Sequence, residues 1–329
     1  MPLISQSDYK SPLFLFNGHL QTIIPGLFRR VDGIRYQRER IETPDHDFLD
    51  LDWSKTNASR LAIISHGLEG NSQRPYVLGM VRELNRNGWD ALAWNFRGCS
   101  GEMNRNLQFY HSGATEDLEV VIQHALAQQH YKTIALIGFS LGGNLTLKYV
   151  GERGLDILPQ IKKAVVFSVP CDLKTGALKM GTLSNKVYMW RFLKHLRQKM
   201  EAKAAVMPQQ LNIVAFHKIK NFKQFDDRYT APLHGFKDAI EYWSHCSSKN
   251  YLHTIAIPTL IVNAKNDPFL SPECFPSEQV SELPHVYLEI PETGGHCGFY
   301  QNSLHGRYWS EERAIRFLEN THSLSVEIV

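Results

Sequence analysis

Residues 138 to 142 read Gly-Phe-Ser-Leu-Gly, a spacing that can present a serine hydroxyl for nucleophilic attack. A sharp strand-to-helix turn holds the serine at its tip, and the flanking glycines leave room where Cβ atoms would collide. A serine is a weak nucleophile on its own and needs a base, itself oriented by an acid. Two other loop-like stretches carry suitable groups: Asn263-Ala264-Lys265-Asn266-Asp267-Pro268-Phe269 and Glu292-Thr293-Gly294-Gly295-His296-Cys297-Gly298. Ser140, Asp267 and His296 follow one another in the chain order of a nucleophile-elbow hydrolase. The combination predicts acyl transfer, with Ser140 attacking, His296 taking its proton and Asp267 holding the imidazole. An oxyanion would be received by the N–H groups of Leu141, directly after the serine, and of Leu68, in the turn after His66-Gly67. Asp172 is the rival acid, although its place just after a strand also suits a helix cap. His285 and His305 are weaker rivals as base. His66 reads as a brace for its own turn and Cys297 as a packing residue.

These groups need elements to carry them. Thr133-Ile134-Ala135-Leu136-Ile137 is short, apolar and β-branched, as a buried parallel strand should be, and Gly142 to Val150 can wind as a helix ending near Gly151 or Gly154. Similar runs predict buried strands at 61–65, 91–94, 164–169, 259–262 and 286–290. Helices are predicted to about Asn87, from about Thr115 to Gln129, and from about Tyr308 to Glu319. Phe48 to Trp53 alternates with period two and predicts a half-exposed antiparallel strand. Strands alternating with helices give a mostly parallel sheet flanked by helices, with reactive groups at the strands' carboxyl ends. The expectation is one α/β domain over 1–329, with a helical cap inserted at 171–235, where no buried strand is read.

Composition narrows the function classes. With 329 residues, 43% apolar and 21% charged, the chain has an ordinary globular make-up. No run reaches the length of a membrane span, and residues 1–8 lack the pattern of a secretion signal. The five cysteines form no C-x-x-C pair, which suggests free thiols in a reducing cytoplasm. The 15 histidines include no H-E-x-x-H spacing, so no metal is expected.

Charge is unevenly spread. Asp172 to Lys223 holds 11 Lys and Arg against two acids, a segment charge of +9 within a chain total of +3, leaving −6 elsewhere. Val187, Trp190, Leu193, Leu196 and Met200 mark an apolar stripe at helical spacing with basic residues between them. Such a helix can pack as a cap with a solvated basic face, lie on an anionic membrane, or steer an anionic acyl carrier. Nucleic-acid binding has no motif to support it. The stretch from Leu13 to Arg30 is apolar and interrupted by glycine and proline, and packing across a substrate entrance is its expected role. Trp190, Phe192, Tyr242, Trp243 and Phe299 are candidate pocket walls, or simply core.

Taken together these residues resemble the α/β-hydrolase superfamily, and within it the YheT-like esterases with their ABHD-type lipase and yeast ethanol acyltransferase relatives. The specific segments are Asn17-Gly18-His19-Leu20-Gln21-Thr22, His66-Gly67-Leu68-Glu69-Gly70 and Arg97-Gly98-Cys99-Ser100-Gly101-Glu102. The serine elbow, Thr230-Ala231-Pro232 with Gly235-Phe236, Asn266-Asp267-Pro268-Phe269 and Gly294-Gly295-His296 complete them. The resemblance implies a Ser140–His296–Asp267 triad hydrolysing an ester or thioester of a small acyl substrate without a cofactor. It differs in one place: no H-x-x-x-x-D acyltransferase pattern occurs, the nearest being His111 to Glu116.

Overall fold

The computed structural model describes residues 3–4, 6–128, 130–303 and 306–319. Its strands are β1 (Leu3–Ile4), β2 (Gln37–Glu42), β3 (Phe48–Ser54), β4 (Arg60–Ser65), β5 (Asp90–Asn95), β6 (Thr133–Phe139), β7 (Ile161–Phe167), β8 (Thr259–Val262) and β9 (Val286–Glu289). They form one sheet in the order β1-β9-β8-β7-β6-β4-β5-β3-β2, parallel except where β3 meets β5 and β2. The helices are α1 (Gly18–Phe28), α2 (Pro75–Arg86), α3 (Thr115–Ala127), α4 (Leu141–Arg153), α5 (Leu173–Met180), α6 (Lys186–Val206), α7 (Phe222–Phe225), α8 (Ala231–Leu233), α9 (Ala239–Cys246), α10 (Ser277–Ser281) and α11 (Trp309–Glu319).

Alternation within the strands builds a core on each face. Ile63, Leu136 and Val166 pack with Leu118 and Val121 of α3 and Leu145 of α4. Their neighbours Ile64, Ile137 and Val165 pack with Val77 and Met80 of α2 and Ala314 and Phe317 of α11. Both faces are therefore covered, as the near-continuous apolar strands require. In-register pairing of Gly138 with both Ser65 and Val166 brings the ends of β4, β6 and β7 level.

β3 corrects one expectation. It is antiparallel, but every residue of it is buried. Asp50 and Asp52 tolerate this because Arg40 and Arg38 of β2 grip them with paired N–H donors at 2.7–2.9 Å. Between β7 and β8 the chain runs through α5 to α9 and a 3₁₀ turn at Ser248–Thr254, so the helical excursion continues well past Gly235. Met180, Met189, Leu193, Leu196 and Met200 form a separate apolar cluster there with Phe225 and Tyr229.

Candidate active site

Ser140 sits between β6 and α4 with φ 53° and ψ −118°, a backbone region that L side chains avoid and that nucleophile turns exploit. The Ser140 N–H donates to Phe167 O at 2.9 Å, which ties the turn to the end of β7. A Cβ added at Gly138 would lie 2.5 Å from Gly142 O, and one at Gly142 would overlap the carbonyl oxygens of Ser65 and His66. Sterics thus explain both glycines of the motif. Strain collects around the turn: Glu69, Ser168 and Cys297 also have positive φ.

His296 and Asp267 come from the loops after β9 and β8. Ser140 Oγ lies 2.9 Å from His296 Nε2, and His296 Nδ1 lies 2.9 Å from Asp267 Oδ2 and 3.2 Å from Oδ1. A carboxylate only accepts, so Nδ1 carries the proton and Nε2 is left to accept from the serine. Burial disfavours a charged His296 ring, but the Asp267 carboxylate against it wins and raises its pKa. Asp267 is held in turn by the Phe269 N–H at 2.9 Å, and the Phe269 ring tilts over the imidazole at 4.2 Å between centroids.

Helix α1 fixes both loops. Gln21 Oε1 accepts from Gly294 N–H at 2.7 Å and from Asn266 Nδ2 at 2.9 Å, while its own amide donates to Leu15 O at 2.6 Å. Thr22 Oγ1 accepts from the His296 N–H at 2.9 Å and donates to Gly18 O at 2.6 Å. A Cβ at Gly18 would overlap Asn266 O, so the helix can dock only with glycine there. The roles of Gln21 and Thr22 are absent from the sequence reading, although the Asn-Gly-His-Leu-Gln-Thr segment was the available signal. The wider stretch from Leu13 to Arg30, expected to be interrupted by glycine and proline, is helical over Gly18–Phe28. That helix holds Pro25 inside and is capped by Asn17 accepting from Leu20 N–H.

Leu68 lies in a turn pressed against the serine, a Cβ on neighbouring Gly67 falling 3.2 Å from Ser140 Cβ. Tyr76 OH accepts from Gly67 N–H at 3.0 Å and Tyr110 OH from Glu69 N–H at 2.8 Å, on either side of Leu68. The Leu141 N–H opens α4, where no intrahelical acceptor exists. His66 is buried, and burial lowers its pKa to about 3. Its neutral ring accepts from Phe96 N–H at 3.2 Å and donates to Gly67 O at 2.8 Å. A cap residue reaches this turn too: Lys199 Nζ of α6 donates to Glu69 Oε1 at 2.8 Å, both side chains only 8% exposed, and Tyr110 OH donates to the same oxygen.

The rival groups lie elsewhere. Asp172 caps α5 through Thr175 N–H and pairs with Lys249. His285 is exposed before β9, and His305 lies outside the described residues. Cys297 is half-buried, its N–H donating to Ser168 Oγ at 2.8 Å.

Two cavities meet at Ser140 and His296. One, of about 160 Å³, is walled by apolar cap residues including Met180, Leu196, Met200, Phe225 and Trp243. The other, of about 200 Å³, lies under α1, the start of α2 and one side of α6. Phe192 faces both, and Tyr242 and Trp243 line the first. Phe299 is core instead, and Trp190 is 63% exposed. The α6 stripe keeps Leu193, Leu196 and Met200 on its buried face as expected and departs from expectation at its start. Met189 replaces Val187 and Trp190 on the buried face, and Lys199 and Lys203 are buried with partners.

The fold and the elbow at the end of its central strand have a match among known families: the α/β hydrolase fold model covers residues 63–303. The chain is a member of that family. This α/β hydrolase is 37% identical to YheT of Escherichia coli (strain K12), whose name proposes an esterase, over 90% of this chain and 88% of that one. It is 26% identical to phospholipase ABHD3 of Mus musculus over 91% of this chain and 75% of that one. A monoacylglycerol lipase of Saccharomyces cerevisiae is 28% identical over 88% of this chain and 65% of that one. Among solved structures the Pyrococcus furiosus esterase Pf2001 shares the fold, with TM-score 0.58, 19% identity and coverage of 88% and 96%. Among the described residues of this α/β hydrolase, no helix is long and apolar enough to cross a membrane, and no cluster of His, Cys, Asp and Glu could hold a metal.

Proposed function

We propose that this α/β hydrolase is a carboxylic ester hydrolase working through a Ser140–His296–Asp267 triad and an acyl-enzyme. The observation that carries the reading is the unbroken hydrogen-bonded chain from Ser140 Oγ through the imidazole to Asp267. Ser140 attacks the acyl carbon as His296 Nε2 takes its proton, and Asp267 stabilises the imidazolium that forms. The N–H groups of Leu68 and Leu141 receive the developing oxyanion. His296 then protonates the departing alcohol, and a water activated by the same ring releases the acid.

The apolar cavity suits the acyl chain, and the lipase and phospholipase names of two relatives support a lipid-type ester. Leu27 and Phe28 of α1 and Val187 and Trp190 of α6 are exposed, the last two interleaved with Lys186, Arg191 and Lys194. That pattern supports a peripheral contact with an anionic membrane surface in the cytoplasm.

The test is hydrolysis of p-nitrophenyl esters from acetyl to palmitoyl, with Ser140→Ala beside the wild type. The variant is expected to lose a factor on the order of 10⁶ in kcat. Near-normal turnover by Ser140→Ala would sink the assignment.

A further inference from the structure

We propose that the second cavity is a subsite for a phosphorylated leaving group, the alcohol or thiol half of the substrate carrying a phosphate. This rests on the ester-hydrolase reading above and names the substrate class that reading leaves open. The two cavities share Leu68, Glu69, Ser140, Phe192, Phe269 and His296, so each has access to the reacting atoms. Their chemistry differs. The first is lined mainly by Met, Leu and aromatic side chains of the cap. The second brings in Arg74, Arg191 and His195.

Its charges do not cancel locally. Of the two further charged groups on its wall, Arg29 is already paired with Glu311, and Glu69 with Lys199. Arg74 spends one N–H on the Glu69 carbonyl at 2.6 Å, and among the described residues neither Arg74 nor Arg191 is paired with a carboxylate. Burial, and then the nearby Arg191 and Arg74, hold the His195 ring below its ordinary pKa, so it adds a donor or acceptor without charge. The start of α2 faces the same space: Arg74 stands at its N-cap without a side-chain cap bond, followed by Pro75 and Tyr76. The positive end of that twelve-residue helix adds to the two guanidiniums. Forked guanidinium donors beside a helix start match phosphate oxygens in geometry and sign.

The reaction balances with this placement. Ser140 Oγ bonds to the acyl carbon, the bond from that carbon to the leaving oxygen or sulfur breaks, and His296 returns the proton to the leaving atom. The phosphate is untouched throughout and serves as a handle, while the acyl chain stays in the apolar cavity.

The experiment compares matched octanoyl substrates: the glycerol ester against the glycerol 3-phosphate ester, and the pantetheine thioester against the 4′-phosphopantetheine thioester. Wild-type protein is expected to favour the phosphorylated member of at least one pair by about tenfold or more in kcat/KM, and Arg191→Met to remove most of that ratio. A gain confined to the glycerol pair identifies a lipid headgroup, and one confined to the thioester pair a soluble carrier. Equal kcat/KM within both pairs, or a ratio that survives Arg191→Met and Arg74→Met alike, overturns the proposal. Calorimetric binding of free glycerol 3-phosphate and free 4′-phosphopantetheine to Ser140→Ala protein separates the two readings. Binding that Arg191→Met abolishes sustains the subsite even if no ester turns over, whereas turnover of neutral esters with no phosphate binding keeps the hydrolase and discards the subsite.

Discussion

Thr22→Val isolates what α1 does for the base. Valine has nearly the shape of threonine but no hydroxyl, so the His296 N–H loses its 2.9 Å acceptor and Gly18 O loses the Thr22 O–H. Leaving such a donor unsatisfied costs about 1–3 kcal/mol. The His296 loop relieves that cost by shifting, and the shift is taken out of the alignment between Nε2 and Ser140 Oγ. At about 1.4 kcal/mol per tenfold change in rate, kcat should fall roughly 5- to 150-fold. The assay is p-nitrophenyl butyrate hydrolysis across substrate concentration, with thermal melting of the same samples. Thr22→Ser, which restores the acceptor, should recover most of the rate. The reasoning fails if Thr22→Val keeps kcat within twofold of wild type, or if it melts lower with its turnover intact, since the bond would then be structural only.

Other expectations test the electrostatics. Asp267→Asn should lower kcat by about 10⁴, and it should also move the acid limb of the pH–rate profile to lower pH. The carboxylate is what raises the His296 pKa, so its removal lets the ring deprotonate earlier; an unmoved limb would contradict this. By linkage, the raised His296 pKa stabilises the fold fully below about pH 6.5, and the contribution fades as pH rises through the raised value. Urea titrations of wild type and Asp267→Asn over pH 6 to 10 should therefore converge toward the alkaline end. Lys199→Met strands the Glu69 carboxylate in a buried site and should cost about 3–5 kcal/mol. Lys199→Met with Glu69→Gln should melt closer to wild type than Lys199→Met alone, and equal melting of all three would show the pair to be idle.

The parallel strands were legible because their signal is local: a short β-branched run between turns reads the same wherever it occurs. The elbow was legible for a related reason, since its two glycines answer to atoms within the motif or in the adjacent β4 turn. What escaped was set by partners far along the chain. Alternation in Phe48 to Trp53 implied an exposed face because nothing in that segment reveals that Arg38 and Arg40 neutralise Asp52 and Asp50. β2 itself, Gln37-Arg38-Glu39-Arg40-Ile41-Glu42, carries almost no apolar pattern to recognise. The apolar α6 stripe was legible at Leu193, Leu196 and Met200, but the burial of Lys199 and Lys203 beside it was not, because their partners Glu69 and Asn104 lie in the loops after β4 and β5. Gln21 and Thr22 act on groups 273 and 274 residues away, beyond any periodicity.

That last distance bears on how the protein is made. A ribosome delivers α1 long before the His296 loop, and contacts so far apart in the chain are the slowest to close. Until residue 296 has been made, Ser140 has no access to the proposed base. Gln21 and Thr22 meanwhile wait with their acceptors open to water. Helix α1 and the His296 loop meet beside Ser140 only once β9 has entered the sheet, so the proposed triad is completed late in assembly and a half-made chain lacks it.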